Sequence, residues 1–175
     1  MSEKVTIKVE RKTLHLPTIA LRGLVVFPNN LVHFEVGREK SIAAVEWAMA
    51  NNSNVFLVAQ KSMDTTEPQQ ADLFGYGVVA EVKQVLRVSG DLVKVLVEGK
   101  YRAKLSVLDA SGDFLLSEVR PAPVRAGKAD DAVETEALLR ALKAGFDEYL
   151  GMNPRLGKDV VFAIVSSDDP AFLSE

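Results

Sequence analysis

The chain has 175 residues, 47% hydrophobic and 26% charged, which is the size and balance of one globular domain or one domain with a helical extension. No run of eighteen apolar residues is available to span a bilayer, and the lack of cysteine excludes a disulfide framework, a cysteine-rich zinc site and a thiol nucleophile. The net charge of −3 argues against a dedicated nucleic-acid partner; residues 1–120 carry +1 and residues 121–175 carry −4, so the acidity belongs to the last third.

Residues 1–13 read as a leader. The opening Met1–Lys8 has no apolar signal core and no small-residue cleavage site, so a cytoplasmic location and no membrane partner are expected. His15 lies in an alternating apolar stretch and reads as structural. Segments rich in β-branched residues then recur between turn signals, at Val32–Val36, Asn54–Ala59, Gly77–Val88, Leu92–Glu98, Tyr101–Leu108 and Phe114–Val119. Many short strands in one unit suggest a sheet that curls on itself. Gly75, Gly77 and Gly99 mark bends or close backbone approaches. Ser89-Gly90-Asp91 is placed to close a hairpin, with Val93, Val95 and Val97 on one face of its return strand and Leu92, Lys94, Leu96 and Glu98 on the other. One helix interrupts the strands, from about Glu39 to Ala50. Its expected buried stripe is Ile42, Val45 and Met49, with Trp47 at the border and Asn51-Asn52 as the stop.

Pro121, Pro123 and Gly127 break the strand pattern and mark a domain boundary. Beyond it, Asp131 with Glu134 resembles a capping box. Leu138, Leu139, Leu142, Phe146, Tyr149 and Leu150 form an apolar helix face that Gly151 would end. Val160–Val165 fits a buried strand or a helix equally well by periodicity. Ser167-Asp168-Asp169-Pro170 reads as a cap followed by proline in a first helical turn. The sequence stops five residues later, so the expectation is a helical part truncated at its C-terminal end.

Catalytic templates fail on individual residues. Gly99-Lys100 has Lys94 where a phosphate loop needs glycine and Tyr101 where it needs serine or threonine. Gly75-Tyr76-Gly77 lacks the third glycine of a dinucleotide fingerprint. His15 and His33 are too few for a histidine metal site, and Lys40-Ser41 and Lys61-Ser62 are adjacent pairs whose side chains diverge. No catalytic, cofactor or metal residue is assigned, which leaves a binding or structural module.

Four motifs carry a resemblance. Leu16-Pro17-Thr18-Ile19-Ala20-Leu21-Arg22 runs into Phe27-Pro28; Gly37-Arg38-Glu39-Lys40-Ser41 precedes the helix; Gly77–Val82 and Val93–Gly99 with Arg102 follow in order. Together, over about residues 14–120, they resemble the Lon protease N-terminal domain. The departures, Gly23 and the rearranged Val88–Asp91 turn, concern loop shape. The resemblance implies a mixed β + α fold: a PUA-like β-barrel of short, mostly antiparallel strands with one helix at 14–121, then a helical subdomain at 122–175, with helix for Val160–Val165. It implies a non-catalytic domain that captures unfolded or degron-bearing proteins and helps assemble a ring, often a hexamer. ATP, magnesium and the Ser-Lys protease dyad would belong to other modules of the parent. A stand-alone adaptor without ATPase is the alternative. Capture of varied sequences needs exposed apolar side chains. The candidates are Leu31, Val32, His33 and Phe34 after the Phe-Pro turn, and Leu86, Val88 and Leu92 at the hairpin end.

Overall fold

Six strands and a helix fill the first two-thirds of the chain, in the order β1 (Leu14–Leu21), β2 (Leu31–Val36), α1 (Glu39–Asn51), β3 (Asn54–Ala59), β4 (Tyr76–Arg87), β5 (Val93–Asp109) and β6 (Leu115–Pro121). The computed structural model describes residues 13–88, 92–122, 132–153 and 157–173, so most of the leader and the Ser89-Gly90-Asp91 tip lie outside the described residues. The chain divides into two compact units, Met1–Pro123 and Val124–Glu175.

The sheet order is β2-β5-β4-β3-β1-β6, and β5 also pairs with β6. Hydrogen bonding therefore runs round a closed ring of five strands, β1-β3-β4-β5-β6, with β2 attached to the first half of β5. All pairings are antiparallel except β1 with β3. The fold is mixed β + α and close to the expected barrel, although β2 outside the ring keeps it from being a regular one.

β5 accounts for that shape. Two strands were expected here, at Leu92–Glu98 and Tyr101–Leu108, but a single strand of 17 residues runs through Gly99. Its first half pairs with β2 and β4, and its second half with β4 and β6. At Gly99 a close backbone approach leaves no room for a side chain. A Cβ there would lie 2.2 Å from the carbonyl oxygen of Phe27, a backbone atom that cannot rotate away. Gly77 meets Leu57 O in the same way, at 2.2 Å, whereas nothing lies within 4 Å of a Cβ on Gly75.

β1 has no half-exposed alternation to announce it. Every residue from Leu16 to Leu21 is buried, because the β1–β3 pair has apolar cover on both faces. On one face Ile19, Leu21, Val55 and Leu57 pack with α1, Val36 and the Val93-Val95-Val97 row. On the other, Leu16, Ala20, Phe56 and Val58 pack with Leu105, Leu115 and Val119. Thr18 and Ser117 are buried within this strand packing, with Thr18 Oγ1 2.6 Å from Ser117 Oγ and 3.1 Å from Leu16 O. A hydroxyl has one proton, so both contacts are bonds when Thr18 donates to Leu16 O and the Ser117 hydroxyl donates to Thr18 Oγ1.

In α1 the buried positions are Ser41, Ala44, Val45 and Ala48. This corrects the expected stripe: Val45 belongs to it, Ile42 is half-buried and Met49 is 46% exposed. Small residues occupy the stripe because the helix lies directly on β1 and β3. Trp47 sits at the border, its ring 5.7 Å from that of Phe114.

The second unit contains α2 (Ala132–Met152), α3 (Lys158–Ser166) and α4 (Pro170–Leu173). α3 makes all of Val160–Val165 helical, the choice periodicity left open. Gly151 does not end α2, which continues to Met152 and closes with Asn153 N donating to Tyr149 O at 3.0 Å. The expected apolar face is split: Leu139, Phe146 and Leu150 are half-buried, while Leu138, Leu142 and Tyr149 are exposed. The narrower stripe includes Lys143, whose ammonium bonds Asp168 at 2.7 Å. Asp168 therefore serves an ion pair, and Pro170 follows Asp169 as the first residue of α4. Asp131 lies outside the described residues. Among the described residues, no helix is long and apolar enough to cross a membrane.

Candidate protein-binding surface

β2 is delivered by a turn. Phe27-Pro28-Asn29-Asn30 closes with Asn30 N donating to Phe27 O at 3.4 Å, and Asn29 has φ +63, a conformation asparagine tolerates better than most residues. Gly99 holds the turn through two bonds of 2.9 Å, Asn29 N to Gly99 O and Gly99 N to Asn30 O. The close approach at Gly99 thus fixes where Leu31 begins and which way each β2 side chain points.

Alternation then separates the candidates. Val32, Phe34 and Val36 turn inward opposite Val97, Val95 and Val93, and pack in the core. Val32 and Phe34 are therefore corrected from binding surface to half-buried packing against the core. Leu31 and His33 point outward, opposite Glu98 and Leu96, and Leu31 is 63% exposed. On β4, Val85 is inward and Leu86 outward opposite Lys94; Leu86 and Val88 are 51% and 56% exposed. Val88 N donates to Leu92 O at 3.0 Å, so the chain reverses between them. Leu92 is half-buried, with its side chain 3.4 Å from where a Cβ on Gly37 would be.

Of the outward set, His33 and Leu86 line a shallow depression of about 220 Å³, which Gln84, Lys94 and Leu96 complete. Leu96 makes its apolar floor between His33 and Gln84. It was not among the candidates, although its outward position was already readable from the alternation along β5. Gln84 and Lys94 are further additions.

One end of this face is closed by charge. Glu81 and Glu98 are direct cross-strand partners, a repulsive placement by itself. The register slips at Lys83 on β4 and at Lys100 on β5, so each lysine is the extra residue of a bulge. The result is a ring: Lys83 lies 2.9 Å from both glutamates, and Lys100 lies 2.9 Å from Glu81 and 2.7 Å from Glu98. Hydrogen bonds from Lys100 and then Lys83 hold the Glu98 carboxyl down at about 2. Lys83 and then Lys100 lower Glu81, and both lysines are raised, Lys83 chiefly by Glu81 and Lys100 chiefly by Glu98. The charges satisfy one another and leave Leu31 at the edge of the apolar strip.

A closed β-ring with an inserted helix and an outward apolar strip makes this a small β-ring module with an apolar face open to solvent. Its fold matches the N-terminal domain of the Mycobacterium avium complex Lon protease, with a TM-score of 0.73 over 92% of this chain and 80% of that one at 20% identity. The family model of the ATP-dependent protease La (LON) substrate-binding domain matches residues 15–175, and the chain belongs to that family. Lon protease of Desulforamulus reducens is 37% identical over 91% of this chain and 19% of its own length. Lon protease of Escherichia coli K12 is also 37% identical, over 93% of this chain and 20% of its own. The chain thus spans about a fifth of these relatives.

Proposed function

We propose that this chain is the capture domain of an ATP-dependent protease, holding apolar segments of unfolded or degron-bearing proteins on the outer face of β2, β5 and β4. The observation that carries this reading is that Leu31, Leu86 and Val88 are exposed on the outer side of β2 and β4, with Leu86 beside Leu96 in the depression, while the inward residues of the same strands pack against the core. These side chains are not needed to close the fold. Each apolar side chain covered by a partner contributes about 1.5–3 kcal/mol, so three or four suffice for weak, sequence-tolerant capture. Several copies in a ring, a hexamer in the parent, would turn weak contacts into retention. ATP, magnesium and the serine endopeptidase chemistry would act outside these residues, and the cytoplasm is the compartment that fits such a role.

The test is fluorescence anisotropy with a labelled, reduced and carboxymethylated protein that cannot refold. The Leu31→Asp/Leu86→Asp variant should bind about ten-fold or more weakly, since at least 1.4 kcal/mol of apolar contact is removed. Its circular dichroism should match the parent. Unchanged affinity in the folded double variant rejects the surface. Phe34→Ala is the counterpart from the inward face and should lower stability by about 1.5–3 kcal/mol, less than at a fully buried phenylalanine because Phe34 is half-buried.

A further inference from the structure

β2 is the end strand of the sheet order, with β5 on one side and no strand on the other among the described residues. Which of its backbone groups face the open side follows from the turn that delivers it. Gly99 N donates to Asn30 O, and Asn29 N, in a residue with φ +63, donates to Gly99 O, so Asn30 and Gly99 are a hydrogen-bonded pair with Asn29 as the extra residue of a bulge. Antiparallel pairs alternate. Val32, Phe34 and Val36 therefore exchange bonds with Val97, Val95 and Val93, while Leu31, His33 and Glu35 turn their N–H and C=O groups away from β5. The other side of β5 gives the same phase: Val88 N donates to Leu92 O, which assigns Lys94 and Leu96 to β4 and leaves Val93, Val95 and Val97 for β2.

Among the described residues, the outward backbone groups of Leu31, His33 and Glu35 take part in no hydrogen bond. Backbone groups shut away from water without a partner are rare, so this edge is open to solvent. The inward side chains supply a second observation. Val93, Val95 and Val97 are at most 5% exposed, but Val32 and Phe34 opposite them are only half-buried. With a neighbouring strand on one side alone, the other flank of these two side chains is uncovered. The strand also carries neither proline nor lysine, residues that commonly blunt such an edge.

We infer that an extended segment of captured polypeptide adds to β2 as a further strand, its backbone bonding Leu31, His33 and Glu35 and its apolar side chains, at every second position, covering Val32 and Phe34. Strand addition rests on the capture reading above and supplies its mode. Main-chain bonding is indifferent to side chains and so admits varied sequences, while the alternate apolar positions select segments that belong in a core. A folded partner keeps its strand groups paired within itself; an unfolded one has them to offer. The edge is continuous with the outward strip through Leu31.

The test is residue-resolved amide hydrogen exchange of the isotopically labelled chain, alone and about nine-tenths saturated with the reduced and carboxymethylated protein. Exchange at Leu31, His33 and Glu35 should slow about ten-fold, the factor set by the unbound fraction. Binding that leaves these amides at their unbound rates overturns strand addition and leaves the capture surface standing, whereas the absence of saturable binding overturns both. Slow exchange there in the unbound chain shows an edge already covered, by a second copy where the slowing grows with concentration, and also overturns it. Glu35→Pro removes an outward N–H and no bond to β5, a change that edge strands tolerate. It should weaken binding about five-fold or more, as for loss of a hydrogen bond, whereas Glu35→Ala should bind as the parent does. Parent affinity in a folded Glu35→Pro overturns the proposal, and if the circular dichroism of that variant departs from the parent the exchange measurement decides.

Discussion

Replacing Gly99 with alanine should cost more stability than any other single methyl addition on β5, and the cost can be worked from the contact. The new Cβ would sit 2.2 Å from Phe27 O, with Phe27 C at 3.1 Å and Pro28 Cα at 3.3 Å. All three belong to backbone, so relief requires β5 and the Phe27–Asn30 turn to part by about an ångström, the shortfall from an ordinary contact near 3.4 Å. Overpacking of this kind costs about 1–3 kcal/mol. Parting the two segments also stretches the two 2.9 Å bonds between Gly99 and Asn29 and Asn30. Each such bond is worth about 0.5–1.5 kcal/mol, so a loss of about 3–4 kcal/mol is expected in all. Urea unfolding followed by the emission of the single tryptophan, Trp47, measures it. With a slope of about 2 kcal/mol/M the midpoint should fall by about 1.5–2 M. Gly75→Ala is the control: nothing lies within 4 Å of its Cβ and its φ is not in the left-handed region. That variant should be neutral or more stable by about 0.4–1 kcal/mol, through the entropy of the unfolded chain. A Gly99→Ala midpoint within error of the parent would refute the view that this approach holds β2 in place.

Two further predictions concern polar groups. Thr18→Val leaves Ser117 facing an isostere without a hydroxyl and should cost about 1–3 kcal/mol, with Thr18→Val/Ser117→Ala losing less than the sum of the single changes; additivity in thermal unfolding would show that the two hydroxyls are not coupled. The Glu81-Lys83-Glu98-Lys100 ring makes stability acid-sensitive. Glu98 is depressed to about 2 in the fold from an ordinary value of 4.5, so its contribution is present above pH 4.5 and lost as pH falls from 4.5 through 2. Glu81 shifts the same way, and the raised lysines act in the opposite range, their contribution present below pH 10.5 and fading above it. The effect is small because the groups are partly solvated and screened by salt. Glu98→Gln should flatten the urea midpoint between pH 2 and 4.5 relative to the parent, and parallel curves would contradict the ring's role.

Much of the candidate surface was legible once strand parity was applied strictly. The run from Leu31 to Val36 alternates, and Leu31 and His33 share a parity that Val32 and Phe34 do not. Taking all four as binding residues ignored that rule, and the structure restores it. Leu96 was visible by the same logic. The charge ring was not, because it depends on two bulges, and a bulge moves an extra residue to a face that strict alternation would not assign it. A cleft between the start of α1 and Thr66–Gln69 was hidden for another reason, since that loop has no periodicity to place it.

Sequence alone determined β2, β3, β4 and β6 with one inserted helix, the change of texture near Pro121, the valine face of β5 and the family signature from Leu16 onward. These depend on local propensity and on spacing of two or three to four residues, which a chain carries wherever it goes. Tertiary structure decided the rest. β1 is buried on both faces and so shows no alternation, α1 needs alanines where it touches β1 and β3, and β5 has glycine at position 99 because the Phe27 carbonyl occupies the space a side chain would take. Which apolar residues were left outside for a partner followed from ring closure and the pairing of β2, contacts between segments far apart in sequence.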